Sequence, residues 1–163
     1  VLQSDGDNTF SFVNVSGVSD TLDDVTSRGA TTTNAVTVGD LTADDTVVDS
    51  IEVNNIQQTS AEQTTLTTTT ATSVASFNAS SFYSGKLIIQ VKDNATSEVQ
   101  VSQLSVVHDT SSAHTTEYSN LFTGSNPLAT FEAAIRSGFV HIDATPVSTN
   151  STNFKVLKTL IKP

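Results

Sequence analysis

The sequence predicts an all-β protein: a short helix and a β-repeat stalk, followed by an antiparallel β-sandwich head. Three observations carry that expectation. The first is Lys86–Val107, KLIIQVKDNATSEVQVSQLSVV, which reads as two long strands around a polar turn. In its first arm Leu87, Ile89 and Val91 alternate with Ile88, Gln90 and Lys92. In its second Val99 and Val101 alternate with Gln100 and Ser102, and Leu104, Val106 and Val107 follow. Alternation with a period of two marks a half-buried strand. The second is a composition rich in Thr and Val, whose branched side chains suit a pleated surface. The third is the regular recurrence of turn residues through 82–163, the pattern of a sandwich.

The bulk numbers narrow the function classes. Apolar residues make up 36% of the 163 and charged ones only 15%, against about 45–50% apolar in ordinary domains. With no Trp or Met, a monomer buries a modest core, and association is the evident remedy. Cys is absent, which removes disulfides and thiolate metal sites. No apolar run approaches the roughly 20 residues that span a membrane. The first residues, Val1-Leu2-Gln3-Ser4-Asp5, show no signal peptide and read as a processed or trimmed end. The net charge of −10 is uneven: residues 1–85 hold eleven Asp/Glu against Arg28 alone, and residues 86–163 hold six of each sign. Phosphate backbones would be repelled by the first part and ignored by the second, which excludes nucleic acid as a partner.

In chain order, residues 1–29 read as an attachment arm. Phe10 and Phe12 suggest a short strand, and Asp5-Gly6-Asp7-Asn8 is a surface turn; a calcium loop would need Glu where Ser16 stands. Val18, Leu22 and Val25 share one face of a short helix with Ser19 or Asp20 as its N-cap, and Arg28-Gly29 closes it. Residues 30–81 read as a β-repeat, Thr-rich shaft. Val36-Thr37-Val38-Gly39-Asp40-Leu41 aligns with Ile51-Glu52-Val53-Asn54-Asn55-Ile56, each a strand ending in residues that tolerate positive φ. The stretch 57–81 is expected to be extended or intertwined, with Leu66, Val74 and Phe77 as anchors. Residues 82–163 form the head. After the hairpin, Thr115–Tyr118 continues as a strand toward Leu121-Phe122, and Thr123-Gly124-Ser125-Asn126-Pro127 breaks it. Phe131, Ala133 and Ile135 pair through Arg136-Ser137-Gly138 with Phe139–Ala144, and Phe154–Ile161 is the last strand.

The hairpin together with Tyr118-Ser119-Asn120-Leu121-Phe122-Thr123-Gly124-Ser125-Asn126-Pro127-Leu128 resembles a C-terminal domain of structural proteins from tailed phages, especially marine, cyanophage-like ones. Thr21–Thr32 with Val36–Leu41 is similar to stalk-entry and repeat segments of phage tail fibres. The resemblance implies a homotrimeric virion appendage: an attachment region that meets other virion proteins, a slender shaft and a sandwich head. It brings no catalytic motif and no cofactor.

His108, His114 and His141 are the candidates for metal or catalytic chemistry. His108 and His141 would meet if their strands adjoin, but no third ligand is spaced to join them. Surface or inter-subunit histidines are the reading adopted, so no catalytic, cofactor or metal residue is assigned. A trimer axis would make His141 the candidate axial ligand. Serine hydrolase chemistry lacks a G-x-S-x-G turn. Glycosidase chemistry needs paired carboxylates, and the head offers only a few acids, among them Glu98, Glu117 and Asp143. Sequons at Asn14, Asn78, Asn94 and Asn150 fit chance in so Ser/Thr-rich a chain. Two functions follow: a non-enzymatic structural fibre component, or a head that recognises host surface glycans through Asp109–Thr115 or Thr145–Asn153. Tyr83 and Tyr118 are the only Tyr, which favours the first.

Overall fold

The computed structural model describes Leu2–Ser4, Phe10–Phe12 and residues 48–163. The chain divides into two units, Val1–Asp45 and Thr46–Pro163. In the first, β1 (Leu2–Ser4) pairs antiparallel with β2 (Phe10–Phe12), Leu2 opposite Phe12. The strand expected at Phe10 and Phe12 is there. The helix near Leu22, the Asp5–Asn8 turn and the first repeat copy lie outside the described residues.

The second unit is an antiparallel sandwich, as expected, and no helix occurs among the described residues. Its strands are β3 (Ser50–Val53), β4 (Gln57–Leu66), β5 (Thr72–Asn78), β6 (Ser84–Asp93), β7 (Val99–His108), β8 (Ala113–Phe122), β9 (Ala129–Arg136), β10 (Phe139–Pro146) and β11 (Thr152–Ile161). The large sheet runs β3-β4-β11-β6-β7-β8, and the small sheet β5-β10-β9. The chain crosses to the small sheet for β5, returns for the β6–β8 meander, crosses again for the β9–β10 hairpin, and inserts β11 between β4 and β6. The expected head boundary at residue 82 is therefore corrected. Ser50–Asn78, assigned to the shaft, supplies three strands of the sandwich, and β4 pairs with β11 along its whole length, from Leu66 opposite Thr152 to Gln57 opposite Ile161.

The opening hairpin obeys its pattern. Leu87, Ile89 and Val91 of β6 and Leu104 and Val106 of β7 point between the sheets and are almost fully buried. Phe154, Val156 and Leu160 of β11 join them, facing Val140, Ile142 and Ala144 of β10 and Phe77 of β5. Turn chemistry sets the registers. Asn54 and Asn55 take φ of 51° and 55° between β3 and β4, where the second repeat copy predicts such a bend. Ser137 and Gly138, at 51° and 81°, do the same between β9 and β10. Lys162 secures the first of these turns through Glu52 at 2.8 Å and the Asn55 side chain at 2.7 Å.

Two polar joints hold the sheets together. Gln100 of β7 is wholly buried. Its Oε1 accepts the N–H groups of Leu128 and Ala129 at 2.6 and 3.0 Å, and its Nε2 donates to the Ala129 carbonyl at 3.0 Å and Ser102 Oγ at 2.9 Å. The amide thus pairs with the incoming end of β9 as a strand would. Lys158 of β11, also buried, binds Glu62 of β4 and donates to the Ser76 carbonyl of β5 at 2.8 Å. No buried side-chain polar atom among the described residues lacks a partner.

Replacing Gln100 with Leu strands the Leu128 and Ala129 N–H groups in a dry site. The expected loss is about 3 kcal/mol of unfolding free energy, read as a lower urea midpoint. Ser102→Ala, which removes one bond of the four, is expected to cost about 1 kcal/mol or less.

Candidate functional site

The three histidines separate in space. His108 ends β7 on its inward face and is buried, which corrects its reading as a surface residue. Its Nδ1 accepts the Thr110 N–H at 3.0 Å, and its Nε2 donates to the Phe82 carbonyl at 2.6 Å. Those two bonds place the ring proton on Nε2. His141 points outward from the small sheet, its Nδ1 at 2.9 Å from Ser73 Oγ. His114 is exposed at the start of β8. His108 faces between the sheets and His141 faces away from them, so the two do not meet. Among the described residues no three His, Asp or Glu gather as a metal site.

One pair of acids stands close. Glu132 of β9 lies opposite Asp143 of β10. Arg136 grips Asp143 with two bonds of 2.6 and 2.7 Å and holds its carboxyl below the usual carboxylate range. A carboxylate kept ionised in this way supplies no general acid at neutral pH. Glu98 and Glu117 lie elsewhere, at the β6–β7 turn and on β8.

The loops are tied down by their own side chains. Asp93 accepts the Ala95 and Thr96 N–H groups at 2.7 and 3.2 Å and the Asn150 amide at 2.8 Å, which joins the β6–β7 turn to the β10–β11 loop. Asn94 adds a bond to Ser151 at 3.1 Å. Asp109 accepts from Ser111 Oγ and from the Ser111 and Ser112 N–H groups. The sequon amides of Asn78, Asn94 and Asn150 are all engaged in such turn bonds. Thr110 is held at φ 73°, an unfavourable value for a β-branched residue. Thr110, Ser137, Asn78, Ser80 and the exposed Phe139 line a hollow of about 370 Å³.

Among the described residues, the outer face of the large sheet gathers a row of exposed aliphatic side chains. By register it carries Ile51 and Val53 from β3, Ala61 from β4, Leu157 and Ile161 from β11, Ile88 from β6, Val107 from β7 and Leu121 from β8. Leu157 is flanked directly by Ala61 on one side and Ile88 on the other. All but Ala61 are large aliphatics left substantially exposed, from 44% at Ile88 to 74% at Leu121. Three shallow hollows of about 440, 560 and 530 Å³ indent the face, and Leu157 borders the first and the last. Lys86, Lys92 and Lys155 also project here, whereas β3, β4, β6, β7, β8 and β11 place no carboxylate on this side. Covering a half-exposed Leu, Ile or Val returns about 1 kcal/mol, so this face can drive association.

No protein-family model matches the chain, and no curated protein does. Solved structures do show a likeness. The tailspike of Acinetobacter baumannii phage AM24 matches with a TM-score of 0.40 at 8% identity, over 64% of this chain and 26% of the tailspike. The tailspike of Acinetobacter baumannii phage Fri1, a capsular polysaccharide depolymerase, matches with a TM-score of 0.41 at 18% identity, over 72% of this chain and 21% of that protein. A third Acinetobacter phage tailspike matches with a TM-score of 0.37 at 12% identity, over 82% of this chain and 25% of its own. The chain spans about a quarter of the length of these tailspikes.

Acid is expected to loosen the turns at both ends of β7. The Asn150 amide, followed by the Ala95 and Thr96 N–H groups, lowers the Asp93 pKa below 3.8, and the Ser111 hydroxyl with two backbone N–H groups lowers that of Asp109 to about 2. Groups with depressed pKa stabilise the fold fully above their unfolded value and lose that contribution as pH falls through the folded one. Urea midpoints should hold steady down to pH 3.8 and then fall toward pH 2. Asp93→Asn should flatten part of that slope.

Proposed function

We propose that this chain is a non-enzymatic structural component of a phage tail appendage, assembled as a homotrimer in the virion. The observation that carries the reading is the outer face of the large sheet, which exposes aliphatic side chains across most of its width and whose strands place no carboxylate there. A chain with so small an apolar fraction gains stability by covering such a face with its own kind. The sequence resemblance to tailed-phage structural proteins supports placing that assembly on a virion, where the N-terminal unit would meet other virion proteins. Among the described residues, the ion pairing of Asp143 and the separation of Glu98 and Glu117 from it favour a role without catalysis.

A second reading, recognition of host surface glycans, is favoured by one feature, the hollow beneath Phe139. An exposed aromatic ring beside Asn78, Ser80, Thr110 and Ser137 offers a sugar both a stacking face and hydroxyl and amide partners. Non-glycine residues held at positive φ at its rim fit a preformed site.

Light scattering on the purified chain tests the first reading. A mass of about three times 17.1 kDa is expected; a monomer at every concentration overturns it. A screen on host capsular polysaccharides tests the second. Binding that disappears in Phe139→Ala, with the mass unchanged, would make the head a receptor-binding module.

A further inference from the structure

Resting on the self-assembly just proposed, we infer that the outer face of the large sheet, centred on Ile88 and Leu157, packs against a different, carboxylate-bearing surface of a second copy of this chain. The contact is heterologous, not two-fold.

The charge pattern selects the partner. Among the described residues the cations away from this face each hold a carboxylate: Lys158 with Glu62, Arg136 with Asp143 and Lys162 with Glu52. Lys86, Lys92 and Lys155 pair with no carboxylate among the described residues, and all three stand on this face. If the face met its own copy about a two-fold axis, each lysine set would be desolvated against another with no carboxylate from the outward strand positions between them. The chain elsewhere offers the opposite sign, since its 17 Asp/Glu outnumber its 7 Lys/Arg. The aliphatic row supplies the apolar centre of an interface, and the lysines supply a charged rim.

The relief of the face agrees with this placement. The hollow between Ile88, Gln90 and Lys155 and the one between Lys86, Val107, His114 and Ile161 are open to side chains of a facing surface. A heterologous contact leaves each copy with one donor face and one acceptor surface, and it closes into a ring when the rotation between copies divides a full turn. A homotrimer is one such ring.

The test compares the full chain with three variants by light scattering, with circular dichroism as the check on folding. Ile88→Thr/Leu157→Thr removes the aliphatic centre while keeping strand-forming residues. Lys86→Glu/Lys155→Glu reverses the rim. Phe139→Ser, on the small sheet, is the control. The expected result is a trimer for wild type and control, and a mass falling to that of the monomer in both face variants with the β spectrum retained. A wild-type trimer that survives Ile88→Thr/Leu157→Thr overturns this face as the interface and leaves the trimer standing. Loss of assembly in that variant with none in the lysine reversal overturns the carboxylate-bearing surface as the partner of this face. A monomeric wild type overturns the assembly itself.

Discussion

The sandwich depends on one buried amide. Three strands cannot cover six, so the position of the small sheet over the large one has to be specified, and Gln100 does this by acting as a piece of strand. Its carbonyl and amide groups bond the Leu128 and Ala129 backbone where β9 begins. The backbone polar groups of a chain leaving one sheet for another would otherwise be buried without partners. Lys158 serves the opposite side of the interior, reaching from β11 to the Ser76 carbonyl of β5. A buried ion pair adds little net stability, but removing one partner is costly. Its effect here is to select one alignment of the two sheets over others that would bury the same aliphatic side chains.

Where both faces of a strand had contrasting solvent exposure, the sequence was readable residue by residue. The Lys86–Val107 hairpin, the Asn54-Asn55 bend and the Ser137-Gly138 turn all lie where their residues predict. β4 was not legible for a physical reason. Its inward residues are Gln58, Ser60, Glu62, Thr64 and Leu66, because the small sheet covers β4 closely only at its Leu66 end. A strand whose inner face is nearly as polar as its outer face carries no period-2 signal, so QQTSAEQTTL resembles a linker. β5 is disguised differently: the irregularity in its pairing with β10, between Ile142 and Asp143, leaves Val74 and Ala75 both buried and breaks the alternation.

His108 shows a signal that parity could have supplied. It follows Leu104 and Val106 at the same spacing of two, so the inward face of β7 continues through it. The Asp109 turn diverts attention because it looks like a surface loop, yet the loop is anchored by the buried ring through the Thr110 N–H. The hollow at Phe139 was beyond reach for a similar reason. It forms where the β5–β6, β7–β8 and β9–β10 connections converge, and no spacing within one segment reports that convergence.

The candidate surface was written in the sequence as apparent errors of alternation. Leu87-Ile88-Ile89 and Val156-Leu157 place aliphatic residues where a solvated strand would carry polar ones. Read alone, each doublet looks like surplus core. In the sheet, Ile88 and Leu157 are direct neighbours on the face opposite the core, so the two irregularities are one feature. Chance placement would scatter such residues over both outer faces. Outward on β10 stand instead Phe139, His141, Asp143 and Thr145, a largely polar row with its own ion pair. The asymmetry between the two outer faces is therefore chemical as well as geometric. The outer face of the wide sheet carries the aliphatic residues and lysines that pair with no carboxylate among the described residues, while the outer face of the narrow sheet carries the Arg136–Asp143 pair. A strand with apolar side chains on both faces belongs to a sheet buried on both faces, and only one such cover is supplied by the sandwich itself.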